Sequence, residues 1–188
     1  MIQKQERKFY LKHFRSICHA IATYEDLNML TNHLAEGTCR RFKAKGCSIM
    51  LLDETDNQLH HVSSYGVSEK YLDKGPLFMN EKEAAFFRDE PVFVEDMQHD
   101  PRVQYPQAAA QEGIVAMLSI PIKCRQTIIG IIRIYHGEPR TIHDEDIETL
   151  CVMSETLGLV IENHGLKNFL EGVLTSLESL PPRLLEDL

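Results

Sequence analysis

The residues of this chain with the widest chemical repertoire are its cysteines and histidines, and both are scattered. The 188 residues include five cysteines and nine histidines. No two cysteines form a C-x-x-C pair, and their odd number argues against a disulfide framework and a structural zinc site. The spacing therefore indicates a reducing compartment. A redox role for a thiol such as Cys47 stays open as a minor alternative.

Histidines can also bind metals or haem. His60 and His61 are adjacent, so in a strand their side chains point to opposite faces and cannot ligate one ion. His99 stands beside two aspartates in a turn, where such carboxylates usually cap or hydrogen-bond the backbone. A single axial histidine, His99 or His136, leaves no spacing signature for haem. We expect neither a metal nor haem.

The sequence also lacks the motifs of several enzyme classes. It has no G-x-S-x-G nucleophile motif and no glycine-rich phosphate loop. Because no other arrangement of nucleophile, base and acid stands out, we predict that the chain is not an enzyme.

Charge and hydropathy restrict the partners and the location. Twenty basic and 28 acidic residues give a net charge of -8, which repels nucleic acid and anionic lipid. The most apolar run, residues 128–132, is far shorter than the roughly 20 residues that span a bilayer, and residues 1–12 lack the apolar core of a secretion signal. We predict a cytoplasmic protein that binds neither nucleic acid nor membranes.

The hydrophobic pattern predicts an ordered series of helices and strands. Apolar residues three and four positions apart predict a first helix through Phe14, Ile17 and Ile21. The remaining predicted elements are a helix at 26–43, strands at 47–53 and 59–65, a strand at 91–95, a helix at 103–111, strands at 115–123 and 127–136, and a long helix from 144. The segment 66–90 is predicted to hold variable loops beside a ligand, with a short helix at 83–88.

This order of elements predicts an α+β fold. Both faces of an antiparallel sheet must be covered. We therefore predict a three-layer α/β/α sandwich with a central antiparallel sheet, the terminal helices on one face and short helices on the other. The terminal helices carry more apolar surface than one sheet face needs, which predicts a homodimer. The alternative is that both helices only fold back on their own sheet.

Six segments together resemble a GAF domain. They are C-S-I-M-L-L-D at 47–53, S-Y-G at 64–66, D-E-P-V-F-V-E-D-M-Q-H-D-P-R at 89–102, E-G-I-V-A-M-L-S-I-P-I at 112–122, I-I-G-I-I-R-I-Y at 128–135 and H-D-E-D-I-E-T-L at 143–150. The resemblance covers residues 24–164, leaving an N-terminal helix at 1–23 and a helical extension at 165–188. It implies the fold above and a sensory and dimerising module.

The resemblance also implies candidate ligand-binding residues. By position, the pocket residues of nucleotide-binding members correspond to Ser48, Ser64, Tyr65, Lys82, Gln104 and Ala108. We add Met117, which lies near the predicted site. Strand alternation independently places Ser48 on the face opposite to Cys47 and Ile49, although Ser48 could equally be a small packing residue.

Several ligands of the family are not expected here. Cyclic-nucleotide members carry Asn-Lys near the end of the last strand and a Phe-x-x-x-Asp-Glu helix start, whereas this chain has Tyr135, His136 and Arg140 at the matching places. Covalent bilin is not expected because residues 101–111 contain no cysteine. Methionine sulfoxide reduction is not expected because the chain has no tryptophan and no clustered cysteines.

We therefore predict a GAF-type sensor, a bacterial-type regulator in signal transduction. A small ligand, anionic if held near Lys82 and Ser48, binds between the sheet and the short helices and shifts the segment 66–90. The terminal helices then relay this change to a separate signalling protein. The alternative is a ligand-free dimerisation or scaffold module whose pocket is filled by large side chains, namely Met79, Phe86, Phe87, Phe93 and Met117.

Overall fold

The structure is a computed structural model that describes residues 26–79 and 88–178, together with the single positions Arg15 and His19. Arg15 and His19 are helical, and the rest of the predicted first helix lies outside the described residues. The same holds for residues 83–87 of the short helix predicted at 83–88.

The described residues form four helices and six strands, and the elements that the sequence predicts among them occur in the predicted order. A short helix at Glu69–Leu72 and a strand at Leu77–Phe78, within the segment 66–90 expected to hold loops, were not predicted. The helices are α1 (Leu27–Arg41), α2 (Glu69–Leu72), α3 (Pro106–Glu112) and α4 (Asp144–Glu178). The strands are β1 (Gly46–Asp53), β2 (Gln58–Tyr65), β3 (Leu77–Phe78), β4 (Val92–Val94), β5 (Ala116–Cys124) and β6 (Thr127–His136). They form one sheet of order β3-β2-β1-β6-β5-β4, and every described pair is antiparallel. The predicted α+β class with a central antiparallel sheet is confirmed.

Helix α1 begins where a side chain caps it and ends where the backbone turns. The Asp26 carboxylate accepts a hydrogen bond from the Met29 amide at 3.0 Å, which satisfies one of the amides that lack a partner within the helix. Lys43 then adopts a φ of 49°, and the Ala44 amide donates back to the carbonyl of Cys39 at 2.9 Å. The helix therefore ends two residues before the predicted limit.

Helices α1 and α4 cover one face of the sheet, which we call the helical face. The fully buried residues of this layer are Leu30, Leu34, Ala35, Cys39, Cys47, Ile49, Leu118, Ile120, Ile122, Ile132, Ile134, Leu150, Met153 and Leu157. On α4, the Ser154 hydroxyl donates to the carbonyl of Pro121 at 2.6 Å, which holds the helix against β5. The placement of the terminal helices on one face is therefore confirmed for α1 and α4.

Helices α2 and α3 cover the opposite face, which we call the cavity face. They are joined by Glu112, whose carboxylate accepts hydrogen bonds from the amide and hydroxyl of Ser68 at 2.9 and 2.5 Å. The prediction of a helix at 103–111 was wrong at its start, because α3 begins only at Pro106. A proline disfavours helical backbone angles in the residue that precedes it. Tyr105, which precedes Pro106, accordingly has φ -125° and ψ 66°.

Candidate functional site

Four polar residues cross the cavity face of the sheet side by side, and we call them the polar row. Ser48 of β1 lies opposite Ser64 of β2 and Arg133 of β6, and Arg133 lies opposite Ser119 of β5. Residues opposite one another in an antiparallel pair point to the same face, so the four side chains share it. Ser48, Arg133 and Ser119 are only 1%, 5% and 0% exposed. A cationic group and two hydroxyls are thus buried together beneath the short helices.

A small cavity lies over this part of the sheet. Its volume is ≈ 20 Å³, and it is lined by Tyr71, Lys74, Leu77, Met97, Val103, Gln104, Tyr105, Met117 and Arg133. A water molecule needs about 10–15 Å³ measured in this way, so the cavity has room for about one water. The lining combines large apolar side chains with two cations and an amide, which is a common composition for a ligand site.

An aromatic ring lies against Lys74, one of the two cations of the cavity. The Lys74 ammonium lies 4.1 Å from the centre of the Tyr71 ring and donates to the Tyr71 carbonyl at 3.2 Å. Tyr71 packs edge-on against Tyr135, with ring centres 5.5 Å apart. Burial, and then the neighbouring Tyr135, raises the pKa of Tyr71, while Arg133 acts in the opposite sense. The Tyr71 hydroxyl is therefore neutral and able to donate or accept a hydrogen bond.

Gln104 presents an acceptor that no described residue satisfies. The Tyr105 hydroxyl donates to the carbonyl of Pro76 at 2.8 Å, so it accepts from Nε2 of Gln104 at 3.3 Å. This fixes the orientation of the amide, and Gln104 Oε1 is left buried without a donor among the described residues. The hydroxyls of Ser48 and Ser119 are also buried without a hydrogen bond in this part of the chain. Buried polar atoms normally have partners, so Gln104 Oε1, on a residue that lines the cavity, is a place where a bound molecule would be stabilised. The two serines do not line the cavity but lie beside Arg133, which does.

The structure brings together most, but not all, of the residues that the sequence suggested for the site. Gln104 and Met117 line the cavity, Ser48 and Ser64 lie in the polar row, and Ala108 packs in the apolar cluster beneath α3. Tyr65 lies on the helical face, where its ring is 5.5 Å from the guanidinium carbon of Arg40. Lys82 lies outside the described residues.

Sequence reasoning missed Arg133, Lys74 and Ser119. Arg133 is the single charged residue of an otherwise apolar strand, and Ser119 stands between apolar residues of the neighbouring strand. Alternation places Arg133 and Tyr135 on one face of β6, which was the available signal. Which residues of β5 and β1 lie beside Arg133 depends on strand register, which these patterns do not specify.

The suggestion that Phe93 fills the cavity was wrong. Val92 and Val94 point to the cavity face, so Phe93 between them packs with the core of the helical face. Met79 packs instead beside Met50, Leu59, Leu77 and Ile131, and Met117 does line the cavity. Phe86 and Phe87 lie outside the described residues.

Comparison with known proteins agrees with this architecture. The model of the GAF domain family matches residues 26–161 of the sequence. The chain belongs to the GAF domain family. GAF domains are generally sensory or regulatory modules that bind ligands. A search of curated proteins finds no match to the sequence.

Solved GAF domains share the fold of this one at low sequence identity. The GAF domain of a phosphoenolpyruvate-protein phosphotransferase from Coxiella burnetii is 20% identical, with a TM-score of 0.76 over 85% of this chain and 96% of that one. The corresponding domain from Acinetobacter is also 20% identical, with a TM-score of 0.70 over 83% and 94%. Free methionine-R-sulfoxide reductase from Neisseria meningitidis, solved with its substrate, is 14% identical, with a TM-score of 0.70 over 84% and 91%. At these identities the likeness establishes the fold alone.

The thiols of this GAF domain that the structure describes are poorly suited to redox chemistry. Burial raises the pKa values of Cys39, Cys47 and Cys151, and a hydrogen bond with Glu162, followed by burial, raises that of Cys124. Because the thiolate is the nucleophile, a raised pKa lowers reactivity at neutral pH.

The acidic turns of the domain have structural explanations. Asp53, Asp56 and His60 offer ligand atoms within 4.8 Å of one another, but all three are exposed. The carboxylates of Asp53 and Asp56 accept backbone hydrogen bonds within the β1–β2 turn at 2.8 and 3.1 Å. Asp96 likewise accepts from the amides that follow it and contacts His99 at 2.8 Å. Turn formation accounts for these residues without a metal.

Among the described residues, no helix is both long and apolar enough to cross a membrane.

Proposed function

We propose that this GAF domain is a sensor that binds a small ligand in the cavity between the sheet and helices α2 and α3, and that α4 relays binding to a dimer. The observation that carries the proposal is the set of buried polar atoms around the cavity. Arg133 lines it, the Ser48 and Ser119 hydroxyls flank Arg133, and Gln104 Oε1 has no donor among the described residues. Polar groups buried without partners destabilise a fold, and a polar ligand would remove that cost.

The second part of the proposal concerns the outer surface of α4. One face of this helix packs on β5, and apolar residues recur every seven positions along the opposite face: Val152, Leu159, Leu166 and Val173. Leu159 and Leu166 are 58% and 55% exposed, and with the exposed Phe169, Leu170, Val173 and Leu174 they make a run of apolar surface along the helix, which is typical of an interaction site. A seven-residue repeat is the pattern of a coiled coil, so a second copy of α4 is the partner that fits.

Other residues of α4 support a parallel pairing in one register. The seven positions of a coiled-coil repeat are called a to g, and the a and d residues form the contact between helices. If Val152, Leu159, Leu166 and Val173 are the d residues, Asn163 and Leu170 occupy successive a positions. An asparagine at a favours parallel dimers, because the two side chains can pair only when aligned. In that alignment Glu162 of one copy lies near Lys167 of the other, at positions where opposite charges stabilise coiled coils. The relay would then run along one continuous helix from β5 to the dimer contact.

The ligand part is tested by a thermal-shift screen with nucleotides, amino acids, hydroxy acids and inorganic anions, followed by calorimetric titration. A ligand present at 100 times its Kd should stabilise the folded state by about 2.7 kcal/mol. The variant Met117→Phe should fill the cavity and abolish the shift. Its matched control is Met153→Phe, which enlarges a buried methionine of the helical face and should lose stability but keep the shift. A shift that survives Met117→Phe would contradict the assigned site.

The dimer part is tested by sedimentation velocity across a concentration series. We expect Leu166→Glu to weaken the dimer by at least about tenfold in Kd, since it places like charges in an apolar contact. Asn168→Glu adds the same charge two residues away, at an exposed position on the other side of the helix from Leu166, and should leave the dimer intact. Equal effects of the two substitutions would refute the α4 contact.

A ligand-free dimerisation module is the second candidate. The small cavity volume of ≈ 20 Å³, narrowed by buried Met97 and Met117, favours it. A broad panel without any thermal shift, together with a dimer that depends on Leu166, would select this candidate over the sensor.

A further inference from the structure

We propose that the cavity takes a short-chain 2-hydroxycarboxylate, with the carboxylate on Arg133 and the hydroxyl donating to Gln104 Oε1. This inference rests on the proposed sensory function and names the chemical class of its ligand.

The charge of the lining selects an anion. The lining residues that the structure describes include two cations, Arg133 and Lys74, and no carboxylate, although the chain as a whole carries a net charge of -8. A concave site of one sign, with apolar walls, concentrates ions of the opposite sign. A guanidinium has five N–H donors in a planar fork, so Arg133 can hold a carboxylate with two parallel hydrogen bonds and still make another contact.

The neighbours of Arg133 suit an oxyanion as well. Ser48 and Ser119 lie on either side of it in the sheet, both nearly completely buried, with hydroxyls that no described residue engages. Each hydroxyl can donate to an anionic oxygen, directly or through a water.

Gln104 distinguishes among anions. Its Nε2 is committed to the Tyr105 hydroxyl, so the buried Oε1 can only accept a hydrogen bond. A plain carboxylate has no donor to offer it, whereas a hydroxyl or an ammonium on the same molecule has one. An ammonium would be repelled by Arg133 and Lys74, so the neutral hydroxyl is favoured over the amino group of an amino acid.

Size limits the ligand to a few atoms. A cavity of ≈ 20 Å³ holds about one water, so nucleotides and bilins are excluded without a large rearrangement. Met97 and Met117 line it, and their unbranched, flexible side chains can move to admit a molecule such as glycolate or lactate.

The test is calorimetric titration and thermal shift of the full chain with four probes of similar size: glycolate, acetate, glycine and glycolamide. Acetate lacks the hydroxyl, glycine replaces it with an ammonium, and glycolamide lacks the charge. We expect glycolate to bind at least about tenfold more tightly than each of the others, which corresponds to about 1.4 kcal/mol.

Two variants link the preference to the named residues. Arg133→Met should abolish glycolate binding, whereas Arg125→Met, at an exposed arginine outside the cavity, should not change it. Gln104→Leu should reduce the preference for glycolate over acetate to within about twofold. This second variant tests the inference even if Arg133→Met does not fold.

The outcomes separate this inference from the sensor proposal. Acetate or glycine binding as tightly as glycolate, or glycolate binding unchanged in Arg133→Met, would overturn the ligand class. If a neutral compound bound to the protein and Met117→Phe abolished that binding, the proposed ligand class would also be overturned, but the proposed sensory function would stand. Failure of every compound in the broad panel would overturn both.

Discussion

A single methyl group on Gly158 should push helix α4 outward from strand β5 and destabilise the protein. A Cβ at this position would lie 1.9 Å from the carbonyl oxygen and 2.7 Å from the carbonyl carbon of Lys123, both of them backbone atoms of β5. Ordinary contact begins at 3.4 Å, so the helix must move by about 1.5 Å. That movement also strains the nearby hydrogen bond from Ser154 to the Pro121 carbonyl, which is 2.6 Å long.

The magnitude follows from three contributions to the free energy of unfolding. Overpacking against a rigid element costs about 1–3 kcal/mol. Weakening one buried hydrogen bond costs about 1 kcal/mol, and alanine returns about 1 kcal/mol through its higher helix propensity. We therefore expect Gly158→Ala to destabilise the protein by about 2 kcal/mol, and to lower Tm by about 4–8 °C for a chain of this size.

The same helix supplies a matched control. Gly165 lies seven residues further along α4, and a Cβ there meets nothing within 4 Å. Gly165→Ala should therefore leave stability unchanged or raise it by up to about 1 kcal/mol. Both variants are compared by urea unfolding followed by circular dichroism at several protein concentrations, which separates folding from dimerisation. Gly158→Ala at least as stable as the parent would refute the close approach of α4 to β5.

Three further predictions concern pH and reactivity. Burial, and then Arg140, lowers the pKa of His136 from 6.5 to about 4. The contribution of neutral His136 to stability should therefore be complete above pH 6.5. Between pH 6.5 and pH 4 the unfolded state takes up a proton that the folded state does not, so the free energy of unfolding should fall by at most about 3 kcal/mol. Urea unfolding of His136→Gln should show a smaller loss over this range, and an identical slope would contradict it. Arg102 contacts Asp100 at 2.6 Å and lowers the pKa of its carboxyl. Asp100→Asn should therefore lower the free energy of unfolding by about 1 kcal/mol at pH 7, and should have no effect at a pH low enough to protonate the native carboxyl. An equal loss at both pH values would disprove the ion pair. Cys47 is fully buried with a raised pKa, so peptide mass spectrometry after native alkylation at pH 7 should find it unmodified, and rapid labelling would show that β1 is open.

Much of the fold could be predicted because its elements carry strong local patterns. The limits of β6 matched the predicted range, β1 and β2 each began one residue earlier than predicted, and β5 was displaced by one residue at both ends. The predicted start of α3 was wrong. The prediction followed the helical pattern from residue 103, although Pro106 disfavours helical backbone angles at Tyr105.

The candidate site was predicted less completely, for reasons of geometry. Ser64 and Tyr65 were both assigned to the pocket, although consecutive strand residues point to opposite faces, and Tyr65 lies on the helical face. Arg133 directly follows the most apolar run, residues 128–132, and the sequence pattern assigned it no role. Its importance comes from Ser48 and Ser119 on neighbouring strands, and from the segments 71–77 and 97–105 that lie over it.

The sequence by itself determined most of the strands and helices, because alternation, helical spacing, proline and capping residues act within a few positions of each other. The short helix at Glu69–Leu72 and the two-residue strand at Leu77–Phe78 are too short to show such a pattern. Only the tertiary structure decided which residues lie side by side. The register between β1 and β2 shifts between Ile49 and Met50, and one extra residue reverses the face of those that follow. The contact of Gly158 with β5 and the polar row around Arg133 both join residues far apart in the chain, and such contacts depend on how the layers pack.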